Sequence, residues 1–238
     1  MYRFIGLVAE HRAKKKEMIE KEEKNHFSYK LRATQTDDEK EANKKLQEMK
    51  NGFITPFYNI TIHDFYENNE TLKKSQLYKV LDSMPKGGLH HVHTTAAPHV
   101  DLYIEMTYNP VTYYNEREGL FKVFPDHEKE DGYEPCNKLR EWFSSPEEYD
   151  ERLRQQILLT REEQNGLESH DIWGYFQHKF ARVGGLGKYA PFFRMLLKSS
   201  IEATVAQNIF IVEFRHTTGS LFDEQKTKLT LLQELELI

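Results

Sequence analysis

The sequence predicts an α/β chain in which a helical N-terminal arm (1–84) precedes a mixed segment (85–238) built on parallel strands. Three observations predict it. A dense mixed-charge run over residues 10–50, centred on Lys14-Lys-Lys-Glu17, suits solvated helices with oppositely charged pairs one turn apart. Leu89-His-His-Val-His93 follows a Lys86-Gly-Gly88 turn signal and reads as a short strand. Ile209-Phe-Ile-Val-Glu-Phe214 is a nearly continuous apolar run between turn residues, which is how a strand covered on both faces of a parallel sheet reads.

In the arm, Thr36 and Glu39 have capping-box spacing, and Ala42, Leu46 and Met49 follow at helical intervals. The apolar stripe is thin, so the arm is expected to pack on the main body or on a second subunit. Leu77, Val80, Leu81 and Met84 predict one helix over 70–84 that Pro85 ends. Pro98 is placed to open a helix that runs to about Tyr108 and stops at Asn109-Pro110. Residues 111–124 read as a hairpin turning at Glu118-Gly119. Ser145-Pro-Glu-Glu148 is a helix start, and Trp173, Phe176 and Phe180 continue an apolar helical face that Val183-Gly-Gly-Leu-Gly187 breaks. The clearest long helix covers 188–207 and ends at Asn208. Beyond it, Leu229, Leu231, Leu232, Leu235, Leu237 and Ile238 form an apolar run without a capping signal, an expected docking surface for further sequence or for a partner.

Composition narrows the function. The 238 residues carry 33 Lys and Arg against 38 Asp and Glu, a net charge of −5, which gives no electrostatic footprint for nucleic acid. No apolar run approaches the ~18 residues of a membrane span, and the first nine residues lack a signal-peptide core, so a soluble, cytoplasmic chain is expected. The single cysteine, Cys136, rules out an internal disulfide and a cytidine-deaminase-type zinc site, whose Pro-Cys-x-x-Cys element needs two. Neither a Gly-x-Ser-x-Gly elbow nor a phosphate loop occurs.

Four of the 11 histidines fall within ten residues: His90, His91, His93 and His99. Alternation along a strand puts His91 and His93 on one face and His90 on the other. Two imidazoles at i and i+2 can bind one metal ion, although a catalytic zinc site wants three protein ligands and a water. Two ligands alone read equally as histidines that only exchange hydrogen bonds. His99 and His216 stand near the same strand ends, one as a surface helix residue and the other as a loop histidine. His11, His26, His63, His127, His170 and His178 are scattered.

Met84-Pro-Lys-Gly-Gly-Leu-His-His-Val-His93 resembles the first-strand signature of the adenosine deaminases, and more specifically of their growth-factor subfamily. Trp173-Gly-Tyr-Phe176, Tyr189-Ala-Pro-Phe-Phe-Arg194 and Ile211-Val-Glu-Phe-Arg215 follow in the order that subfamily has. The resemblance implies a metal-dependent amidohydrolase on a (β/α)8 TIM barrel that uses Zn2+ to deaminate adenosine to inosine and ammonia. It implies that His91 and His93 are metal ligands and that Thr95 and Trp173 lie at substrate-binding positions, with core packing the alternative for Trp173. It also implies that Glu213 is a carboxylate inside the barrel and that the arm mediates dimerisation. Two departures accompany it. Thr94 and Thr95 stand where family members usually carry an Asp, and no residue after Arg215 matches the family's later metal ligands or catalytic acid and base, so no catalytic residue is identified. Eight strand–helix units need about 31 residues each, and only roughly 150 follow Gly88. The expectation is the N-terminal part of a barrel, completed by a homodimer partner or a second chain, or else a non-catalytic assembly module derived from that fold.

Overall fold

The computed structural model describes residues 2–26, 28–54, 65–166 and 169–238. It divides into two compact units, Met1–Asp82 and Ser83–Ile238. The first is helical: α1 (Tyr2–Asn25), α2 (Ser28–Ala33), α3 (Asp37–Ile54), α4 (Phe65–Lys74) and α5 (Gln76–Ser83). The charged run lies in solvent, with Lys16–Glu20 at 3.9 Å and Lys45–Glu41 at 2.9 Å one turn apart. Thr36 and Glu39 close the capping box in both directions, at 3.3 Å to the Glu39 amide and 2.7 Å from the Thr36 amide. The single helix expected over 70–84 is two. Ser75 separates them, because its hydroxyl accepts the Tyr78 amide at 3.0 Å and so starts α5 afresh.

The second unit begins with β1 (Lys86–His93), which pairs in parallel with β5 (Ile209–Arg215). Gly87 and Gly88, expected to turn, are strand residues. Gly88 faces Ile211, where a Cβ would come within 3.2 Å of the Ile211 Cβ, so the missing side chain permits the close approach. Between the strands run α6 (Val100–Met106), the hairpin β2 (Thr112–Asn115) and β3 (Leu120–Val123), β4 (Glu134–Pro135), α7 (Cys136–Arg140), α8 (Pro146–Ile157), α9 (Arg161–Gly166), α10 (Ser169–Gly184) and α11 (Ala190–Ala206). β2 pairs antiparallel with both β3 and β4. The hairpin turns where expected, with Gly119 at φ +68°. The apolar face expected to run on from Ser145 is interrupted. A second capping box, in which Thr160 accepts the Glu163 amide at 3.2 Å and Glu163 accepts the Thr160 amide at 2.8 Å, starts α9. The long helix keeps its place, preceded by a 3-10 turn at Leu186–Lys188 and ended by Asn208 in the left-handed region at φ +58°.

The core sits away from the parallel pair. Tyr114, Phe121, Cys136, Leu139, Tyr149, Leu153, Leu186 and Leu196 pack between the small antiparallel sheet and helices α7, α8 and α11. The buried Cys136 thiol is free, and burial pushes its pKa up to about 12, so it is a core residue rather than a nucleophile. β5 corrects an expectation. It is parallel, but Phe210 and Ile211, which point to opposite faces, are 75% and 59% exposed, because two strands cannot cover each other's faces.

The C-terminal segment is tied down by a buried carboxylate. Phe193, Leu197 and Leu221 form a second cluster with Phe214, Leu229 and Leu237 against it. The expectation of no capping signal fails, since Thr230 and Gln233 form a capping box on α12 (Leu231–Leu235). Glu234 on that helix is fully buried and accepts the amides of Gly219 at 2.6 Å and Leu221 at 2.9 Å. Burial pushes its pKa up, but the two amide bonds and the nearby His216 outweigh this and hold it below the ordinary 4.5. A folded-state pKa below the unfolded value adds stability that is complete above pH 4.5 and is lost as pH falls through the folded value. Amide exchange at Gly219 and Leu221 is therefore expected to be protected from neutrality to about pH 4.5 and to accelerate below it. Glu234→Gln should remove that acid step, and a step that survives the substitution would rule the clamp out.

Candidate functional site

β1 delivers His91 and His93 to one face, two residues apart. Their Nε2 atoms are 3.2 Å from each other, with ring centroids 5.0 Å apart and tilted by 57°. Two nitrogens bound at ~2.05 Å to one tetrahedral ion are themselves about 3.3 Å apart, so the pair has the spacing of one edge of a zinc site. Alternation predicts the opposite face for His90, but the pairing is irregular between Leu89 and Val92, and His90 Nδ1 lies 3.1 Å from Glu213 Oε1, a carboxylate that Arg215 also holds. The parallel pairing sets His93 opposite Arg215, so the carboxyl ends of both strands meet here.

Arg215 organises this end. Its Nη2 donates to the His90 carbonyl at 2.8 Å and to Glu213 at 3.2 Å, and its Nε donates to His91 Nδ1 at 3.4 Å. A neutral His91 that accepts at Nδ1 carries its proton on Nε2 and donates it to His93. Binding a metal through both Nε2 atoms requires the other tautomer, in which Nδ1 carries the proton and the Arg215 contact is given up. The Glu213 side chain is 47% exposed in this two-stranded sheet, and the His90 and Arg215 bonds hold its carboxyl below the ordinary range. Among the described residues no three His, Cys, Asp or Glu side chains gather into a metal-binding cluster, so the pair supplies two donors and no third.

The chain leaves His93 through a tight turn in which the Ala96 and Ala97 amides bond to the His93 carbonyl at 3.0 and 3.1 Å. Thr94 is buried, its hydroxyl donating to the Arg215 carbonyl at 3.3 Å. The Thr95 carbonyl accepts the Tyr103 hydroxyl. Thr95 then lines an apolar pocket of about 210 Å³ with Pro98, Tyr103, Phe176 and Phe180. Lys179 is the charged group on its wall and is paired with Glu163 at 2.9 Å. Trp173 stacks on Phe176 at 5.4 Å, and Phe176 meets Phe180 edge-on at 4.8 Å, a ladder that descends from solvent to the pocket. Trp173 itself is 62% exposed.

No family model matches the chain. It is 26% identical over 191 residues to the adenosine deaminase of Lutzomyia longipalpis, an alignment covering 75% of this chain and 37% of that protein. It is 26% identical over 211 residues to the adenosine deaminase of Aedes albopictus, covering 84% and 39%. It is 25% identical over 182 residues to adenosine deaminase 2 of Homo sapiens, covering 72% and 35%. The similarity is to the adenosine deaminases. The chain spans a little over a third of the length of these curated relatives.

Outside the His91–His93 pair, His99 and His216 have structural roles. His99, expected at the surface, caps α6 by accepting the Asp101 amide and lies 3.0 Å from the Asp101 carboxylate. His216, expected in a loop, is only 12% exposed at its side chain. It packs on Phe193 at 4.6 Å, and its Nε2 lies 3.7 Å from Glu234, beyond hydrogen-bond reach. His63 and the side chain of His170 lie outside the described residues. Sequence reasoning missed the role of Arg215. The signal that could have found it is register, since an arginine ending a strand parallel to the histidine strand must stand beside the second imidazole.

Proposed function

We propose that this chain supplies the metal-binding start of an adenosine deaminase-type hydrolase, one that converts adenosine and water to inosine and ammonia. The carrying observation is the 3.2 Å approach of the His91 and His93 Nε2 atoms at the carboxyl end of a parallel strand, where α/β barrels gather their functional groups. In this reading β1 and β5 are the first two strands of a (β/α)8 barrel. His91 and His93 hold Zn2+, with His91 released from its contact with Arg215. When bound, the zinc supplies Lewis acidity that brings a water's pKa toward neutrality. Thr95 and the Trp173–Phe176–Phe180 ladder bind the flat base and shield it from solvent. The third protein ligand and the groups that move protons come from polypeptide beyond these residues, through further strands or a second chain. The helical arm serves dimerisation, and the lone buried Cys136 fits a cytoplasmic, reducing setting. No described helix is long and apolar enough to cross a membrane.

A second reading, a non-catalytic assembly module, draws support from the two-donor site and from the open faces of β5. Zinc content and inosine formation separate the two. The deaminase reading expects zinc to be retained by the purified chain and inosine to form once the later strands are co-expressed with it. A chain that retains no zinc and yields no inosine with that complement leaves the assembly module.

A further inference from the structure

We infer that a second site, on the face formed by β3 and the 220–228 loop, binds a small phosphorylated aromatic molecule of the nucleotide class. A concavity of about 500 Å³ lies there, within the size range of ligand pockets. Its floor is Val123, Phe124, Leu221 and Phe222, and four lysines stand around it: Lys122, Lys188, Lys226 and Lys228.

Backbone pairing builds the site. Phe222 lies in the middle of three short extended segments, bridged to Tyr189 on one side and to Lys228 on the other. The Phe222 amide bonds to the Lys188 carbonyl at 3.0 Å, the Ala190 amide to the Phe222 carbonyl at 2.9 Å, and the Leu229 amide to the Leu221 carbonyl at 2.9 Å. The backbone of Lys188 and of Lys228 is thereby fixed in the segments that flank Phe222, and both lysines line the same concavity. The turn between the segments is also locked. Asp223 Oδ1 accepts the amides of Gln225 at 3.0 Å and Thr227 at 2.8 Å, and Lys226 sits at φ +58°, a conformation that disfavours a residue with a side chain. That arrangement puts Lys226 over the Phe124 ring, 5.6 Å from its centroid.

The charges are unevenly balanced. Lys122 is paired with Glu130 and Lys226 with Asp126, each at 2.6 Å. Lys188 and Lys228 have no ion-pair partner among the described residues, in a chain whose net charge is negative. Glu130 also lines the concavity and Asp223 and Glu224 stand in the same loop, so the ligand charge would be taken by the two lysines without an ion-pair partner, beside aromatic residues suited to a flat ring. A concave, aromatic-floored site favours a small molecule over a flat polyanion surface. This inference is independent of the deaminase reading, since it uses neither histidine nor the Thr95 pocket.

Titration calorimetry of the full chain tests it, with ADP, inorganic phosphate and adenosine as probes. ADP is expected to bind, more tightly than inorganic phosphate, and to weaken as salt is raised. The exposed double substitution Lys188→Ala/Lys228→Ala should weaken ADP at least about tenfold while leaving the circular dichroism spectrum unchanged. Absence of ADP binding, or ADP binding indifferent to the two lysines, overturns the inference. Phosphate binding as tightly as ADP removes the aromatic part of the assignment, and adenosine binding that falls with the two lysines removes its anionic part.

Discussion

Replacing Asp150 with alanine is expected to destabilise the second unit by about 3–5 kcal/mol, because it strands a buried guanidinium. Arg140 donates to Asp150 Oδ1 from Nε at 3.1 Å and from Nη2 at 2.7 Å, with the two side chains 5% and 11% exposed. The same guanidinium bonds the Thr107 carbonyl at 2.9 Å and lies 3.6 Å from the centre of the Tyr108 ring, and the Tyr108 hydroxyl returns to Asp150 Oδ2 at 2.6 Å. The network therefore joins the residues after α6 to α7 and α8, and through α6 it supports the wall of the Thr95 pocket. At ~2–4 °C per kcal/mol for a unit of this size, the midpoint should fall by on the order of 10 °C. The double substitution Arg140→Met/Asp150→Leu removes both charges at once and is expected to lose much less. Thermal unfolding of the three proteins decides the matter. An Asp150→Ala shift below about 1 kcal/mol would mean that water reaches the guanidinium and that the pair is not the clamp described.

What the sequence disclosed and what it hid divide along physical lines. Local signals transferred well. The capping box at Thr36, the hairpin at Gly119 and the long helix after Gly187 are each set by residues within a few positions of one another. The closeness of the His91 and His93 rings was also legible from their i, i+2 spacing, although the strand pairing is irregular between Leu89 and Val92. Misreadings arose where a distant segment decides. Gly88 is a strand residue because Ile211, more than a hundred positions away, needs the room. The 209–214 run has the composition of a strand buried on both faces, yet burial depends on neighbours, and β1 alone covers neither face. The sequence offered no reading of Glu234, whose place inside is explained only by the distant amides of Gly219 and Leu221. At the candidate site the closeness of His91 and His93 was legible and the role of Arg215 was not, since a hydrogen bond across two strands has no trace in spacing along one.

Substituting His91 or His93 with alanine is expected to weaken Zn2+ binding by at least about a hundredfold, while His90→Ala leaves it unchanged. The contrast follows from strand geometry. His91 and His93 bring their Nε2 atoms to within 3.2 Å of each other, whereas the His90 ring is engaged by Glu213. Equilibrium dialysis against zinc measures all three, and an equal loss in His90→Ala would refute the one-face arrangement. Arg215 adds a sharper expectation. Its Nε donates to His91 Nδ1 and so favours the tautomer that blocks the ligating nitrogen with a proton. Removing that donor as Arg215→Ala should therefore tighten zinc binding to the isolated chain, provided the strands stay paired, and the glutamate–histidine contact between Glu213 and His90 remains to help hold them. If Arg215→Ala instead weakens zinc as the histidine variants do, the arginine holds the imidazole in its binding orientation, and the positive charge that opposes the metal in the free chain is the same group that fixes the ring for it.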